Sequence, residues 1–198
     1  MPHYNFVEIG TSNFDTLIQK ASNTTVGLSV EPMTHYLEQL PNKENVKKIN
    51  VAVSFDDIES DVIIYFIPES VIKENELSHW LVGCNSINDY HPAHKDHKHL
   101  VSTKTIKQIP ISKLFDDNNV TSVDLLKVDT EGGDSKILTH FFKYIKNKNN
   151  DSWPKKIQFE TNKLTPIVEV DTVIKLYESI GYKVTKRNKH NTSLEIDT

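Results

Sequence analysis

The stretch LLKVDTEGGDSKIL, residues 125–138, decides the fold class. It begins as an apolar run, ends in Asp129 and Glu131, passes through two glycines and continues with a helix-like apolar pattern. A buried strand that turns into a helix in this way is the building unit of α/β proteins. In open sheets of this kind, ligands bind outside the carboxyl ends of the strands. The stretch therefore predicts an α/β fold with a functional site at Asp129 and Glu131.

The alternation of strands and helices continues along the chain. Strands are predicted at 4–9, 25–31, 46–53, 61–67, 122–128 and 155–160, and helices at 14–22, 33–40, 111–115, 135–146 and 170–181. Residues 68–108 show little periodicity and are predicted to be loops with short strands. Segments 182–187 and 192–197 are joined by a short turn, so they must pair antiparallel. We predict a mostly parallel sheet with an antiparallel C-terminal hairpin and helices on both faces.

Composition limits the partners and the compartment. The 198 residues suit one domain, 1–198. The net charge of −4 gives no basic field for nucleic acid or an anionic membrane, so we expect neither as a partner. Cys84 is the one cysteine, which excludes an internal disulfide and a Cys-rich zinc site and fits a reducing compartment. With no signal-peptide pattern and no run of about 20 apolar residues, we expect a cytoplasmic protein.

Two further strand ends carry residues suited to a nucleoside cofactor. Gly10 permits close approach of a ligand to the backbone, and the helix that begins near Asn13 directs free N–H groups to the same place. Glu31 follows the second strand, where an acid can accept both ribose hydroxyls. Pro32 and the helix start also favour an acid there on structural grounds alone. The spacing between Gly10 and Glu31 therefore indicates a nucleoside cofactor site more specifically than either residue does alone.

The segments FVEIGTSNFDTL (6–17), GLSVEPMTHYLEQL (27–40), NVAVS (50–54) and VDLLKVDTEGGDSKIL (123–138) together resemble the successive motifs of the FkbM-type S-adenosylmethionine-dependent methyltransferases. Lys127, Asp129, Glu131 and Gly132 match the motif that closes the fourth strand of that family, and its final acid falls on Asp134. The resemblance covers roughly residues 5–187. It implies a Rossmann-like class I methyltransferase fold and S-adenosylmethionine as the cofactor.

The resemblance also assigns site residues. The implied cofactor-binding residues are Glu8, Gly10, Thr11, Ser12, Asn13, Glu31, Pro32, Met33, Ala52, Val53, Ser54 and Asp129. Phe14 stands where the family usually has a second glycine, and Ser12 where it usually has asparagine, so we expect a reshaped first loop. The chain starts directly at the first strand, which suggests a minimal enzyme or one domain of a longer protein with flanking domains.

The stretch NSINDYHPAHKDHKH, residues 85–99, contains four histidines. It reads either as an exposed polar loop or as a substrate loop that carries a general base, since imidazole titrates near neutral pH. In the second reading His91 is the base, with Asp129 as the rival and Lys127 as a further catalytic residue. The predicted substrate-binding residues are Asn85, Ser86, His94, Glu131 and Glu160.

A divalent ion is a further prediction. Asp129 and Glu160 end neighbouring predicted strands, and two carboxylates with waters suit Mg²⁺ or Mn²⁺. The predicted metal site therefore shares Asp129 with the cofactor site.

Three functions remain open from the sequence. The first is O-methylation of a sugar hydroxyl, for example of a deoxyhexose such as rhamnose, in a glycan or glycosylated small molecule. The second is an NAD(P)-dependent oxidoreductase, supported by the Gly10–Glu31 interval and by a Y-x-x-x-K match at Tyr144 and Lys148. The Gly-rich fingerprint of such enzymes is missing from the sequence. The third is a non-catalytic binding module, because a fold does not determine a function.

Overall fold

The computed structural model of the chain describes residues 3–87, 89–149 and 152–196. The strands are β1 His3–Ile9, β2 Gly27–Val30, β3 Val46–Ile49, β4 Ala52–Ser54, β5 Ser60–Phe66, β6 Ser102–Pro110, β7 Ser122–Val128, β8 Lys156–Glu160, β9 Tyr182–Arg187 and β10 Asn191–Ile196. The α-helices are α1 Leu17–Lys20, α2 Thr34–Gln39, α3 Glu69–Glu74, α4 Ile111–Asp117, α5 Asp134–Ile145 and α6 Ile167–Glu178. Two 3₁₀ segments, His79–Gly83 and Pro92–Leu100, precede β6.

Seven strands form one sheet in the order β3-β2-β1-β7-β8-β10-β9. All neighbouring pairs from β3 to β8 are parallel, and β10 is antiparallel to both β8 and β9. The strand order reverses between β1 and β7. Because a crevice forms at the carboxyl ends where the order reverses, this is the expected place for a ligand.

Hydrophobic clusters cover both faces of this sheet. In one cluster, Leu126 of β7 packs with Leu114, Phe141 and Val173 from α4, α5 and α6. In another, Phe6 of β1 packs with residues of α1 and α2. The predicted Rossmann-like fold, with its antiparallel C-terminal hairpin, is confirmed. Within the described part of the chain, no helix combines the length and apolarity that crossing a bilayer requires.

The region between β3 and β6 differs from the prediction. The predicted strand 46–53 is divided into β3, in the large sheet, and β4, in a second sheet of order β4-β6-β5. Asn50 lies at the division, and its Nδ2 donates to the carbonyl oxygens of Glu31 and Pro32 at 2.8 and 3.0 Å. Those bonds turn the chain out of the large sheet. Within the segment predicted to be irregular, β6 is nine residues long and pairs with both β4 and β5.

Candidate active site

A cavity of about 320 Å³ lies at the carboxyl ends of the central strands. Its floor is formed by residues that follow β1, β2, β7 and β8. Ile64 of β5, in the small sheet, and residues 85–87 form the opposite wall. The predicted site residues that line it are Gly10, Thr11, Ser12, Glu31, Pro32, Ala52, Val53, Asn85, Ser86, Lys127, Asp129, Glu131 and Glu160. The fold therefore brings most of the predicted site into one cavity.

Glu31 is fixed at the end of β2 by backbone donors. The N–H of Ser12 donates to its Oε2 at 2.7 Å, and the N–H of Met33 donates to its Oε1 at 2.8 Å. Burial raises the pKa of this carboxyl to about 7, although the backbone hydrogen bonds act in the opposite direction. A carboxylate has about four acceptor positions, so Glu31 can accept a further hydrogen bond from a diol.

Gly10 directly follows β1 and lies against Asp129, which directly follows β7. Its φ of +80° is in the left-handed region, and a Cβ placed on it would lie 1.8 Å from the carbonyl oxygen of Asp129. Only glycine fits here without movement of the backbone. Gly10 therefore sets the position of Asp129 relative to the first loop.

Glu8, Lys127 and Asp129 form a line of charges beneath the cavity. The Lys127 Nζ lies 2.9 Å from Glu8 Oε1 and 3.8 Å from Asp129 Oδ2. The other Glu8 oxygen accepts from the N–H of Leu17 at 2.8 Å, at the start of α1. Although burial opposes it, the charges of Glu8 and Asp129 leave the pKa of Lys127 raised, so the ammonium remains charged. Lys127 therefore holds Asp129 in place and offsets its charge.

Three carboxylates meet at the ends of β7 and β8. Asp129, Glu131 and Glu160 each offer an oxygen within 4.8 Å of the others. Burial, followed by the charges of Glu131, Asp129 and Asp134, raises the pKa of Glu160 to about 8. Its Oε2 has no hydrogen-bond partner among the described residues. Such crowding of like charges costs free energy unless a proton, a cation or a ligand relieves it.

Glu131 is held by His91. Its oxygen Oε2 lies 3.1 Å from His91 Nε2, and the Nδ1 of the same ring accepts the N–H of Ala93 at 3.0 Å. Because Nδ1 is an acceptor, Nε2 carries the proton and donates to Glu131. Glu131 has a φ of +54°, which is strained for a residue with a side chain. His91 is 7% exposed as a residue and is not part of the cavity wall.

Several predicted site residues lie outside the cavity wall. Glu8, predicted to bind cofactor, is fully buried because Lys127 and Leu17 occupy it, and Met33 and Ser54 are 1% exposed. Asn13 donates instead to the side chain of Gln39 at 2.6 Å. These four residues shape the site without lining it.

His94 also departs from its predicted role in substrate binding. It has no exposed surface, and burial lowers its pKa to about 4. The apolar side of the segment 92–100 turns inward, and this places His94 in the interior. A neutral, enclosed ring is a packing residue in this arrangement.

The sequence reasoning missed some of the cavity wall. Phe55, Lys136, Thr130 and Ile64 line it. Phe55 directly follows β4 and Lys136 lies in the first turn of α5, so the strand-end rule could have identified both. No signal in the sequence identified Ile64, since the small sheet that carries it depends on long-range pairing.

The Y-x-x-x-K match lies away from the cavity. Tyr144 and Lys148 line a separate hollow, where the Tyr144 hydroxyl and the Lys148 ammonium both contact Asp116. The ammonium also lies 3.7 Å from the centre of the Tyr144 ring. These contacts stabilise the end of α5 and provide no support for oxidoreductase chemistry.

Fold and site together define a Rossmann-like protein with an acid held at the end of its second strand and a carboxylate cluster beside it. Residues 7–184 match the methyltransferase FkbM domain, and the chain belongs to that methyltransferase family. No curated protein matches the chain.

The raised pKa of Glu160 predicts a pH-dependent stability. An acid whose folded pKa exceeds its unfolded value loses stability as pH rises between the two values, here from about 4.5 to 8. Between pH 6.5 and 8 the free energy of unfolding should fall by about 1 kcal/mol, after a discount for solvent screening. Glu160→Gln should remove most of this fall. Urea unfolding at both pH values measures the free energy of unfolding. An equal fall in Glu160→Gln would contradict the assignment of this pH dependence to Glu160.

Proposed function

We propose that the protein is an S-adenosylmethionine-dependent O-methyltransferase that acts on a sugar hydroxyl. The observation that carries the proposal is one cavity that contains both a backbone-held diol acceptor, Glu31, and a carboxylate cluster at the ends of β7 and β8. The first suits the ribose of a nucleoside, and the second suits a positive charge next to an acceptor hydroxyl.

The cofactor would be held by residues of three strand ends. Glu31 would accept the ribose hydroxyls, Gly10 and Thr11 would face the amino-acid part, and Asp129 would attract its positive charges. S-adenosylmethionine supplies an electrophilic methyl group when bound. The donors on Glu31 support this fit, because they fix the carboxylate and leave lone pairs free.

A sugar acceptor suits the other half of the cavity. Phe14 and Phe55 line it and are 43% and 39% exposed, so each offers an aromatic face to the C–H side of a sugar ring. Asn85, Ser86 and Glu160, which also line the cavity, can bond to hydroxyls. A deoxyhexose such as rhamnose, with both apolar and hydroxyl faces, is the kind of ring such a mixed surface accommodates.

Glu131 is the proposed proton acceptor. Its carboxylate lines the cavity, whereas His91 lies behind it with both ring nitrogens engaged. This revises the expectation that His91 itself is the base, because Nδ1 accepts from Ala93 and Nε2 is a donor. In the proposal, Glu131 would take the proton of the hydroxyl as the O–CH₃ bond forms and the S–CH₃ bond of S-adenosylmethionine breaks, with S-adenosylhomocysteine as the leaving group. His91 orients Glu131, and Lys127 holds Asp129.

A divalent cation is a proposed addition to the site. Asp129, Glu131 and Glu160 offer oxygens within 4.8 Å of one another, and the unpartnered Oε2 of Glu160 is a free ligand atom. Mg²⁺ or Mn²⁺ would suit this oxygen set. Calorimetric titration of the protein with each ion should then give binding that Glu160→Gln weakens at least about tenfold, or roughly 1.4 kcal/mol. Full activity of metal-free protein after EDTA treatment would contradict the proposed divalent cation.

Thermal unfolding with candidate cofactors tests the function. At 100 times its Kd a ligand adds about 2.7 kcal/mol, or roughly 5–10 °C for a chain of this size. S-adenosylhomocysteine should raise Tm by this amount, and NAD(P) should not. A shift with NAD(P) alone would favour an oxidoreductase, and no shift with either would favour a binding module.

Glu31→Ala should weaken binding of S-adenosylhomocysteine by about 1–3 kcal/mol through lost hydrogen bonds. Because the pKa of Glu31 is about 7, wild-type affinity should also fall from pH 8 to pH 6 as the carboxyl is protonated, and the variant should lack this dependence. Glu38→Ala, at an exposed position of the neighbouring helix, is the matched control. Calorimetry of folded Glu31→Ala with unchanged affinity would contradict the role.

A further inference from the structure

A second groove, of about 310 Å³, adjoins the cavity. Phe55 and Lys136 belong to the walls of both. The Lys136 Nζ lies 5.5 Å from the centre of the Phe55 ring. The groove is therefore a continuation of the cavity that begins at Phe55.

The groove runs between α5 and α6. On α5, the positions Lys136, His140 and Lys143 recur at helical spacing and face it, and on α6 the positions Glu169 and Thr172 do so. Polar and charged side chains of both helices therefore line a shared hollow.

The charges in the groove are mixed. Lys136 and Lys143 provide ammonium donors, whereas Glu169 provides a carboxylate whose Oε2 has no hydrogen-bond partner among residues 3–87, 89–149 and 152–196. His140 Nε2 lies 3.1 Å from Asp57 Oδ1, so a further acid lies at the rim. An anionic ligand would meet Glu169 and Asp57 as well as the lysines. A neutral polyol can accept from the lysines and donate to the acids.

We propose that this groove binds the sugar unit next to the one that is methylated, so that the acceptor is a neutral oligosaccharide or glycoconjugate. This inference rests on the proposed function of the cavity. Phe55 separates the two spaces and presents its exposed ring to a chain that passes from one to the other. The cofactor and the methylated sugar would share the cavity of about 320 Å³. Any acceptor longer than one sugar must therefore continue outside it, and the groove is the adjoining space.

Binding to an array of immobilised glycans tests the proposal. The array carries neutral, phosphorylated and uronic acid-containing glycans of one to six units, and the protein is applied with S-adenosylhomocysteine. Neutral glycans of two or more units should bind at least about tenfold more strongly than their single units. Lys143→Gln and Glu169→Gln should each reduce this preference about two- to tenfold, as expected for one lost hydrogen bond. Lys186→Gln, at an exposed position of β9, should leave it unchanged.

The outcomes separate this inference from the function of the cavity. Equal binding to single and longer units, a preference for anionic glycans, or no glycan binding would each overturn the groove proposal. The affinity of S-adenosylhomocysteine is measured separately on the same proteins, and the two groove variants should retain it. Absence of that affinity together with retained binding of longer glycans would reject methyl transfer and leave the groove as a glycan site.

Discussion

Glu131→Gln should lower kcat by about 10²–10⁴. The amide keeps the shape of the side chain but cannot accept a proton, and a sugar hydroxyl is too weak an acid to lose its proton unaided. Binding of S-adenosylhomocysteine should change by less than about threefold, or 0.7 kcal/mol, because Glu31 and Gly10 lie at other strand ends. Initial rates of methyl transfer to a glycan acceptor and calorimetry provide the two measurements.

His91→Gln is the comparison that separates base from orienting residue. A glutamine can still donate a hydrogen bond towards Glu131, so the loss should be only about tenfold, or 1.4 kcal/mol, and His91→Leu should lose more. A direct role for His91 would make His91→Gln as severe as Glu131→Gln. Asp129→Asn tests the remaining candidate. If both Glu131→Gln and His91→Gln turn over at the wild-type rate from pH 6 to 9, Asp129 is the base.

Gly10→Ala should destabilise the protein by at least about 3 kcal/mol, because it combines a steric clash with backbone strain. The added Cβ would lie 1.8 Å from the Asp129 carbonyl oxygen, at a residue with φ of +80°. The strand ends must then separate, which also displaces Asp129 from Lys127. Urea unfolding measures the free energy, and thermal shift with S-adenosylhomocysteine should show a reduced or absent stabilisation.

Gly83→Ala is the matched control for that substitution. A Cβ at Gly83 would meet only the ring of Phe14, 3.2 Å away, and that ring is half-exposed and free to move. We expect a change below about 1 kcal/mol. If the two alanine variants unfold at the same urea concentration, the close approach of β1 and β7 is not a constraint.

The central strands were predictable from sequence because each was decided locally. The apolar run 122–128 coincides with β7, and the glycine turn after it marks the start of α5. The small sheet was not predictable. β6 has the sequence STKTIKQIP, in which exposed Lys and Thr side chains leave few apolar residues to indicate a strand. Its formation depends on pairing with β4 and β5.

In the candidate site, too, the residues decided by local sequence were predictable, and the contacts between distant segments were not. Glu31, Asp129 and Glu160 were predicted because all three lie at the carboxyl ends of strands, where open α/β sheets bind their ligands. The two hydrogen bonds of the His91 ring, to Ala93 and Glu131, were not predictable, because no sequence pattern encodes them. Phe55 directly follows β4, so its place at a strand end was predictable from the sequence.

The crowded carboxylates at the ends of β7 and β8 also make the cavity sensitive to the charge of its occupant. S-adenosylmethionine carries a sulfonium charge, and the product of methyl transfer does not. Before transfer, that charge would offset the negative charges of Asp129 and Glu131. Afterwards Asp129 lacks this partner at once, and Glu131 lacks it as soon as the proton it has accepted leaves. The same acids would then bind S-adenosylmethionine more tightly than S-adenosylhomocysteine. This difference in affinity would favour release of the product after each turnover.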